Sequence, residues 1–236
     1  MGHQSCMIRH FQHFAELDQD EIDLLMKLEK SPEQLAPGSL LWQEGSGVEV
    51  MAVLSKGWAF SCYTLEDGSR MILDIFLPGD VIGMREYASR THQASVEAIT
   101  ECTLCRFPHR HLDDIFERSS RLTRIFFTIA ATQQSMLVER MVNLGRRDAQ
   151  SKLSHFICEM YSRLSKTNPD MSPEFSLPLS QQMIADTMGL TPVHVSRVFS
   201  QLREKALVHR DRHRVSIPSV EKLSDFADFN TNYLRL

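Results

Sequence analysis

The residues whose types and spacing could do chemistry lie between Leu179 and Val215. In Thr191-Pro192-Val193-His194-Val195-Ser196-Arg197, helical spacing puts Val195, Val198 and Leu202 on one buried stripe. Val193, His194, Ser196 and Arg197 then share the open face. An arginine there offers a planar fork of donors that fits the N7 and O6 edge of guanine, the commonest specific base contact. Ser196 can hydrogen-bond a base or a phosphate, and His194 can reach a phosphate or face water. Val193 can offer only apolar contact, for instance to a thymine methyl. The chemistry is that of reading base edges in a DNA groove. Around it, residues 191–214 hold Arg197, Arg203, Lys205, Arg210, Arg212 and Arg214 against Glu204 and Asp211, a local footprint for a polyanion.

Such side chains need elements to hold them, and the flanking residues supply the signals. Ser180 is placed to cap one helix, whose apolar face is Met183, Ile184 and Met188. Gly189 falls where a sharp turn needs a left-handed residue. Thr191 caps a second helix, and Pro192 occupies its first position, where a missing amide costs nothing. Ala206-Leu207-Val208, the basic run Arg210 to Arg214 and Val215-Ser216-Ile217 then read as the hairpin of a winged helix-turn-helix. A purely structural helical hairpin would not need Arg and Ser on its open face. The candidate DNA-contacting residues are Ser180, Thr191, Pro192, Val193, His194, Ser196, Arg197, Arg203 and Arg212.

Upstream the texture differs. Asp18 to Leu28 carries Ile22, Leu24, Leu25 and Leu28 at helical spacing, ended by Ser31-Pro32. From Leu40 to Cys105, short apolar runs (Met51–Leu54, Ala59–Tyr63, Met71–Phe76) are punctuated by Gly45, Gly57, Gly68 and Gly79, with Asp67-Gly68 a hairpin signal. That pattern predicts a small antiparallel β-roll. From His111 to Gly145 the period turns helical, and Ser119 to Leu144 is long enough for a single helix of about seven turns. Its apolar residues include Leu122, Ile125, Ile129, Met136 and Leu137, the expected seam of a homodimer. A second helix starts at Asp148, and 166–178 reads as a loop. The fold class is therefore α+β: a β-roll sensor with its N-terminal helix over 1–112, a long dimerisation helix over 113–146, and a winged helix-turn-helix over 147–236.

Composition narrows the function classes. Residues 1–146 hold 14 Lys/Arg and 20 Asp/Glu, whereas 147–236 hold 12 and 10, so the basic character is local to the C-terminal part. No apolar stretch approaches the length of a membrane span, and the first residues open no secretory signal. The five cysteines (6, 62, 102, 105, 158) do not form a disulfide framework, which suits a reducing cytoplasm. Cys102 and Cys105 have CxxC spacing, but on a strand they point to opposite faces and read as buried small apolar residues. His109 and His111 read as surface residues. No metal or cofactor is assigned. No Ser/His/Asp, paired-carboxylate or phosphate-loop signature stands out, so an enzyme is not expected.

The whole chain resembles the Crp–Fnr superfamily of transcription regulators, the cyclic-AMP receptor protein, the fumarate–nitrate reduction regulator and their relatives. The roll is similar in Gln43-Glu44-Gly45, Lys56-Gly57, Asp67-Gly68 and Leu77-Pro78-Gly79-Asp80-Val81-Ile82-Gly83, and the second half in Asn143-Leu144, Asp148 and the helix-turn-helix ending Ser196-Arg197. The resemblance implies a homodimer joined by the central helix, double-stranded DNA with two-fold-related half-sites as partner, and possible contact with RNA polymerase. It also marks departures. Cyclic-nucleotide binders of the family carry Gly-Glu-Leu, whose Glu holds the ribose hydroxyl, and an Arg-Ser or Arg-Thr pair that holds the phosphate. Here the chain reads Gly83-Met84-Arg85 and His92-Gln93-Ala94. Methionine cannot accept from a ribose hydroxyl, and neutral histidine is a poor bidentate clamp. Arg85, Glu86 and Arg90 are the residues a shifted site would use. The iron–sulfur branch uses a cluster of N-terminal cysteines, where this chain has only Cys6. Many relatives also have Glu where Val193 stands, so the half-site should keep a guanine for Arg197 and differ where Glu would read.

The expectation is a cytoplasmic, bacterial-type DNA-binding regulator whose active state needs no cyclic AMP. Two rivals stand beside it. One is a regulator of the same fold whose DNA binding requires an unidentified small molecule, haem or redox signal. The other is a sensor module in which ligand capture is the main output.

Overall fold

The computed structural model describes residues 5–234. In chain order the elements are α1 (Cys6–Gln12), α2 (Gln19–Met26), β1 (Pro32–Leu35), β2 (Leu40–Trp42), β3 (Val50–Lys56), β4 (Ala59–Thr64), β5 (Arg70–Phe76), β6 (Val81–Ile82), β7 (Ser95–Ala98), β8 (Cys102–Pro108), α3 (Arg110–Arg118), α4 (Ser120–Arg146), α5 (Ala149–Thr167), β9 (Glu174–Ser176), α6 (Gln181–Met188), α7 (Pro192–Glu204), β10 (His209–Asp211), β11 (Arg214–Ser216) and α8 (Val220–Ala227). The chain forms two compact units that divide within α4, between Ala131 and Thr132.

The first unit is the β-roll: two four-stranded antiparallel sheets in the orders β1-β8-β3-β6 and β2-β7-β4-β5. The expected runs become β3, β4 and β5, and the loop at Asp67-Gly68 closes as the β4–β5 hairpin, with the Asp67 carboxylate accepting from the Ser69 amide at 2.8 Å. Gly57 turns β3 into β4 at φ +91°, and a Cβ there would stand 2.4 Å from the Glu101 carbonyl oxygen, so only glycine fits. One core lies between the sheets, from Leu54, Phe76, Ile82, Val96 and Leu104 among others. A second lies where helices cover the roll: Met7 and Phe11 of α1, Leu24 and Leu25 of α2, Leu112 and Ile115 of α3, and Leu122, Ile125, Phe126 and Ile129 of α4. The helix read from Asp18 is α2, which opens on a capping box between Asp18 and Glu21 and tightens into a 3-10 turn over Lys27–Glu29.

The helical stretch from His111 divides at Ser119: the single helix read over Ser119 to Leu144 is α4, and 113–118, grouped with it in the expected domain division, lies in α3. Ser119 is extended (φ −138°, ψ 107°). Its hydroxyl accepts from the Leu122 amide at 3.0 Å and donates to the buried carboxylate of Glu21 at 2.7 Å, so it starts α4 as a cap. The residues expected as the dimer seam lie largely inside the chain. Leu122, Ile125, Ile129 and Met136 are buried within the chain itself, and Leu137 is half-buried. The apolar residues that α4 leaves open are Phe127 (69% exposed), Val138, Met141 (72%) and Val142.

The second unit carries the last turns of α4 and the helices α5 to α8. The segment expected as a loop over 166–178 contains β9, which pairs through Phe175↔Val215 and makes the wing a three-stranded sheet in the order β10-β11-β9. No described helix is long and apolar enough to cross a membrane.

Candidate nucleic-acid interface

The helix-turn-helix is assembled from local hydrogen bonds that its sequence encodes. The Ser180 hydroxyl accepts from the Met183 amide at 3.1 Å and starts α6. Gly189 ends it at φ +62°, the left-handed conformation that costs glycine least, and the Leu190 amide reaches back to the Ala185 carbonyl at 3.1 Å. The Thr191 hydroxyl accepts from the His194 amide at 3.2 Å, and Pro192 opens α7. Val195, Val198 and Leu202 are fully buried, which fixes the rotation of α7 about its axis. Val193, Ser196 and Arg197 therefore stand on the solvent side, Val193 at 70% exposure, with Thr191 beside them. His194 and Pro192 are half-buried at the shoulder of this face.

A cleft of about 340 Å³ lies between α7 and the wing, lined by Gln181, Ser196, Phe199, Ser200, Arg203, Arg210, Arg212 and His213. The structure thus brings three of the expected residues, Ser196, Arg203 and Arg212, onto one concave surface. Arg212 sits at the wing tip with φ +51°, a conformation that non-glycine residues seldom adopt and that clusters at functional surfaces. Ser180 is exposed at the start of α6.

The basic cluster divides by role. Arg210 braces the wing: its Nη2 donates to the Leu179 carbonyl, its Nε donates to the Arg212 carbonyl at 2.8 Å, and its guanidinium lies 5.0 Å above the Phe199 ring. Burial pulls its pKa below the usual arginine value. Lys205 donates to Gln150 at 2.7 Å and lies over Phe226, and Arg214 pairs with Glu174 of β9 at 3.0 Å. Lys205 and Arg214 are exposed but engaged by these partners, whereas Arg197, Arg203 and Arg212 are exposed on the open surface and carry its positive charge. Charge counting alone cannot separate these two groups, because the separation depends on β9 and on the packing of α5.

The sensor roll shows how its departures are filled. The His92 imidazole, 3% exposed, stacks on Trp42 with ring centres 4.2 Å apart and planes 12° from parallel. Its Nδ1 lies 3.7 Å from the buried carboxylate of Glu86, too far for a hydrogen bond. Burial holds the His92 pKa below its usual value against the opposing pull of Glu86. Of the residues a shifted site would use, Arg85 is exposed and donates to Ser61 at 3.2 Å, Arg90 is exposed, and Glu86 is buried. These residues do not fit a cyclic nucleotide held as the resemblance implies: Met84 stands where the ribose-binding Glu would be, and His92 where the phosphate-binding Arg would be.

The four described cysteines with free thiols, Cys62, Cys102, Cys105 and Cys158, are buried. Cys6 starts α1, and its side chain lies outside the description. Cys102 donates to the Trp58 carbonyl at 3.2 Å on one side of β8. Cys105 faces Ser31 and Ser55 on the other. Burial raises the pKa of both and pushes Cys158 up to about 12, which keeps these thiols protonated and poorly reactive. Among the described residues no three of His, Cys, Asp or Glu are grouped to hold a metal ion.

Comparison with known proteins agrees with this anatomy. Residues 32–119 match the family described as a cyclic nucleotide-binding domain, and residues 151–226 match the Crp-like helix-turn-helix domain. The chain is 32% identical over 189 residues to the nitrogen fixation regulation protein FixK of Rhizobium meliloti, covering 79% of this chain and 82% of that protein. It is 26% identical over 227 residues to the transcriptional activator protein FnrL of Cereibacter sphaeroides, covering 94% and 88%. Among solved structures, FixK2 from Bradyrhizobium japonicum superposes with a TM-score of 0.75 at 24% identity, covering 83% of this chain and 96% of that one. A capped helix-turn-helix with an arginine-bearing open face, a glycine-punctuated roll and these matches over most of the length lead to one conclusion: the chain belongs to the Crp/Fnr family of DNA-binding transcription regulators and is similar to FixK.

Proposed function

We propose that the protein acts as a homodimer that reads a two-fold-related DNA site without cyclic AMP. The observation that carries this reading is the open face of α7, where Val193, Ser196 and Arg197 stand clear of a fully buried Val195–Val198–Leu202 stripe. Arg197 supplies the bidentate fork for a guanine, Val193 the apolar contact, and Ser196 a hydrogen bond. Arg203 and Arg212, with Ser180 and Thr191 at helix starts, supply phosphate contacts that fix register. His194, on the shoulder, adds a phosphate contact.

The dimer seam in this reading is the exposed side of α4. Phe127, Ala131, Gln134, Val138 and Met141 are all exposed and recur at alternating spacings of four and three, the seam of a two-stranded coiled coil. An open stripe carrying Phe127 and Met141 at about seven-tenths exposure is costly for a lone chain in water. Independence from cyclic AMP is supported by His92, which stands where the phosphate-binding arginine of the resemblance would be and is buried in a stack on Trp42. In this scheme the roll and its helices form the regulatory domain, α4 joins the protomers, and the remainder binds DNA in the cytoplasm. RNA polymerase is the partner through which binding acts on transcription.

The test is enrichment of random-sequence duplexes by purified, ligand-free protein at moderate salt. A two-fold motif with a guanine in each half is the expected result. Enrichment that appears only after cyclic AMP is added would sink the effector-free reading.

A further inference from the structure

The second unit contains a buried ionic cluster away from the DNA-facing surface, which the proposed function does not use. Glu159 of α5 is 2% exposed. Its Oε1 lies 3.2 Å from Nη2 of Arg140 on α4 and 3.9 Å from Nη1 of Arg163. Its Oε2 accepts from the Tyr233 hydroxyl at 3.1 Å, in the 3-10 turn Asn232–Leu234. A second set adjoins it. Glu139 of α4 forms an ion pair with Nη1 of Arg147 at 2.7 Å and lies 3.1 Å from Nε2 of His155, whose ring stacks on Tyr233 with planes 14° apart. Three separate stretches of chain, the end of α4, the middle of α5 and the segment near the C-terminus, are thus tied through Glu159 and His155.

Stability alone gives a poor account of such a cluster. Desolvating charges is costly, and well-packed apolar residues of similar volume often do as well or better. What directional bonds add is a fixed orientation, because a carboxylate held by an arginine and a phenol at once tolerates little sliding of α4 along α5. Burial and the Glu159 charge raise the Tyr233 pKa, so its hydroxyl stays a donor. The same stretch of α4 meets the helix-turn-helix directly. Leu144 lies 3.5 Å from where a Cβ would stand on Gly189, and Asn143 donates to the Lys152 carbonyl at 3.3 Å. Only Arg147 and Asp148 separate α4 from α5.

We propose that Glu159, through Arg140 and Tyr233, is a positioning residue that sets the angle between the end of α4 and the recognition helix α7, and thereby the spacing of half-sites the protein accepts. The proposal rests on the dimer reading, in which two copies share α4. One base pair of added spacing turns a half-site by about 34–36° on B-form DNA, so a fixed angle translates into a sharp spacing optimum.

The test compares full-length wild type, Glu159→Gln and Tyr233→Phe on duplexes carrying one half-site, or two half-sites at the enriched spacing and at one or two base pairs either side. Tyr233→Phe keeps the stacked ring and removes only the bond to Glu159, so it reports even where Glu159→Gln folds poorly. Both variants are expected to retain single-half-site affinity, while the advantage of the best two-fold site falls about tenfold or more as the linked arrangement loses its geometry. A wild-type spacing optimum kept equally sharp in Tyr233→Phe overturns the positioning role alone. A wild type with no spacing preference overturns the dimer reading and the positioning role with it.

Discussion

Val193 and Arg197 sit one turn apart on the open face of α7, and each predicts a different signature. Arg197→Ala is expected to cost about 1–3 kcal/mol in binding and to relax preference at one guanine. Equal loss on all sequences in a competition assay would mean that Arg197 touches only phosphate. Val193→Glu supplies an acceptor where only apolar contact existed, and should move one position of the enriched motif toward cytosine. Away from the DNA face, His155 is buried, and burial, with the Arg147 charge, holds its pKa below the ordinary value despite the opposing pull of Glu159 and Glu139. The unfolded chain therefore takes up this proton first. Stability conferred by neutral His155 is full above the ordinary histidine value of about 6.5 and is lost as pH falls from there toward the folded pKa. His92 adds a loss of the same sign. Melting temperatures measured from pH 8 down to pH 5 should fall less steeply in His155→Gln than in wild type.

At the scale of elements, α4 has two apolar sides, and periodicity could not say which faces inward. Leu122, Ile125 and Ile129 resemble a seam in the sequence, yet α1, α2 and α3 cover them. Phe127→Glu together with Met141→Glu should leave the core intact and shift sedimentation toward monomer, with loss of two-fold-site binding. A stable dimer in that double variant would place the seam elsewhere. The helix-turn-helix was legible because Ser180, Gly189, Thr191 and Pro192 each act within a few residues of their own position. The same local logic explains the break before α4, whose signal was the capping Ser119 rather than a glycine or proline. β9 was not legible. Glu174-Phe175-Ser176 has one buried residue and becomes a strand only because β11 lies beside it. The division of the arginines into braces and open charges was hidden for the same reason.

For the whole molecule, the sequence carries a net charge of −4, yet its DNA-facing surface is basic. Arg214, though exposed, is paired with Glu174, so in the proposed dimer Arg197, Arg203 and Arg212 of each protomer give six charges for phosphates and bases. If all six neutralise phosphates, log affinity against log salt should have a slope near −5, and Arg212→Ala, which removes two of the six, should flatten it by about 2. An unchanged slope would remove the wing tip from the interface. The stack of Trp42 on His92 has an optical consequence. An indole lying 4.2 Å from an imidazole loses emission when that ring is protonated, because the cation accepts an electron from the excited indole. The sequence has one other tryptophan, Trp58, so a Trp58→Phe protein would glow from Trp42 alone. Its emission should dim on acidification, at a pH below the ordinary histidine range, and stay level in the same background carrying His92→Gln. The roll thus contains its own unlabelled fluorophore, able to report the state of that buried corner while the helix-turn-helix is bound to DNA.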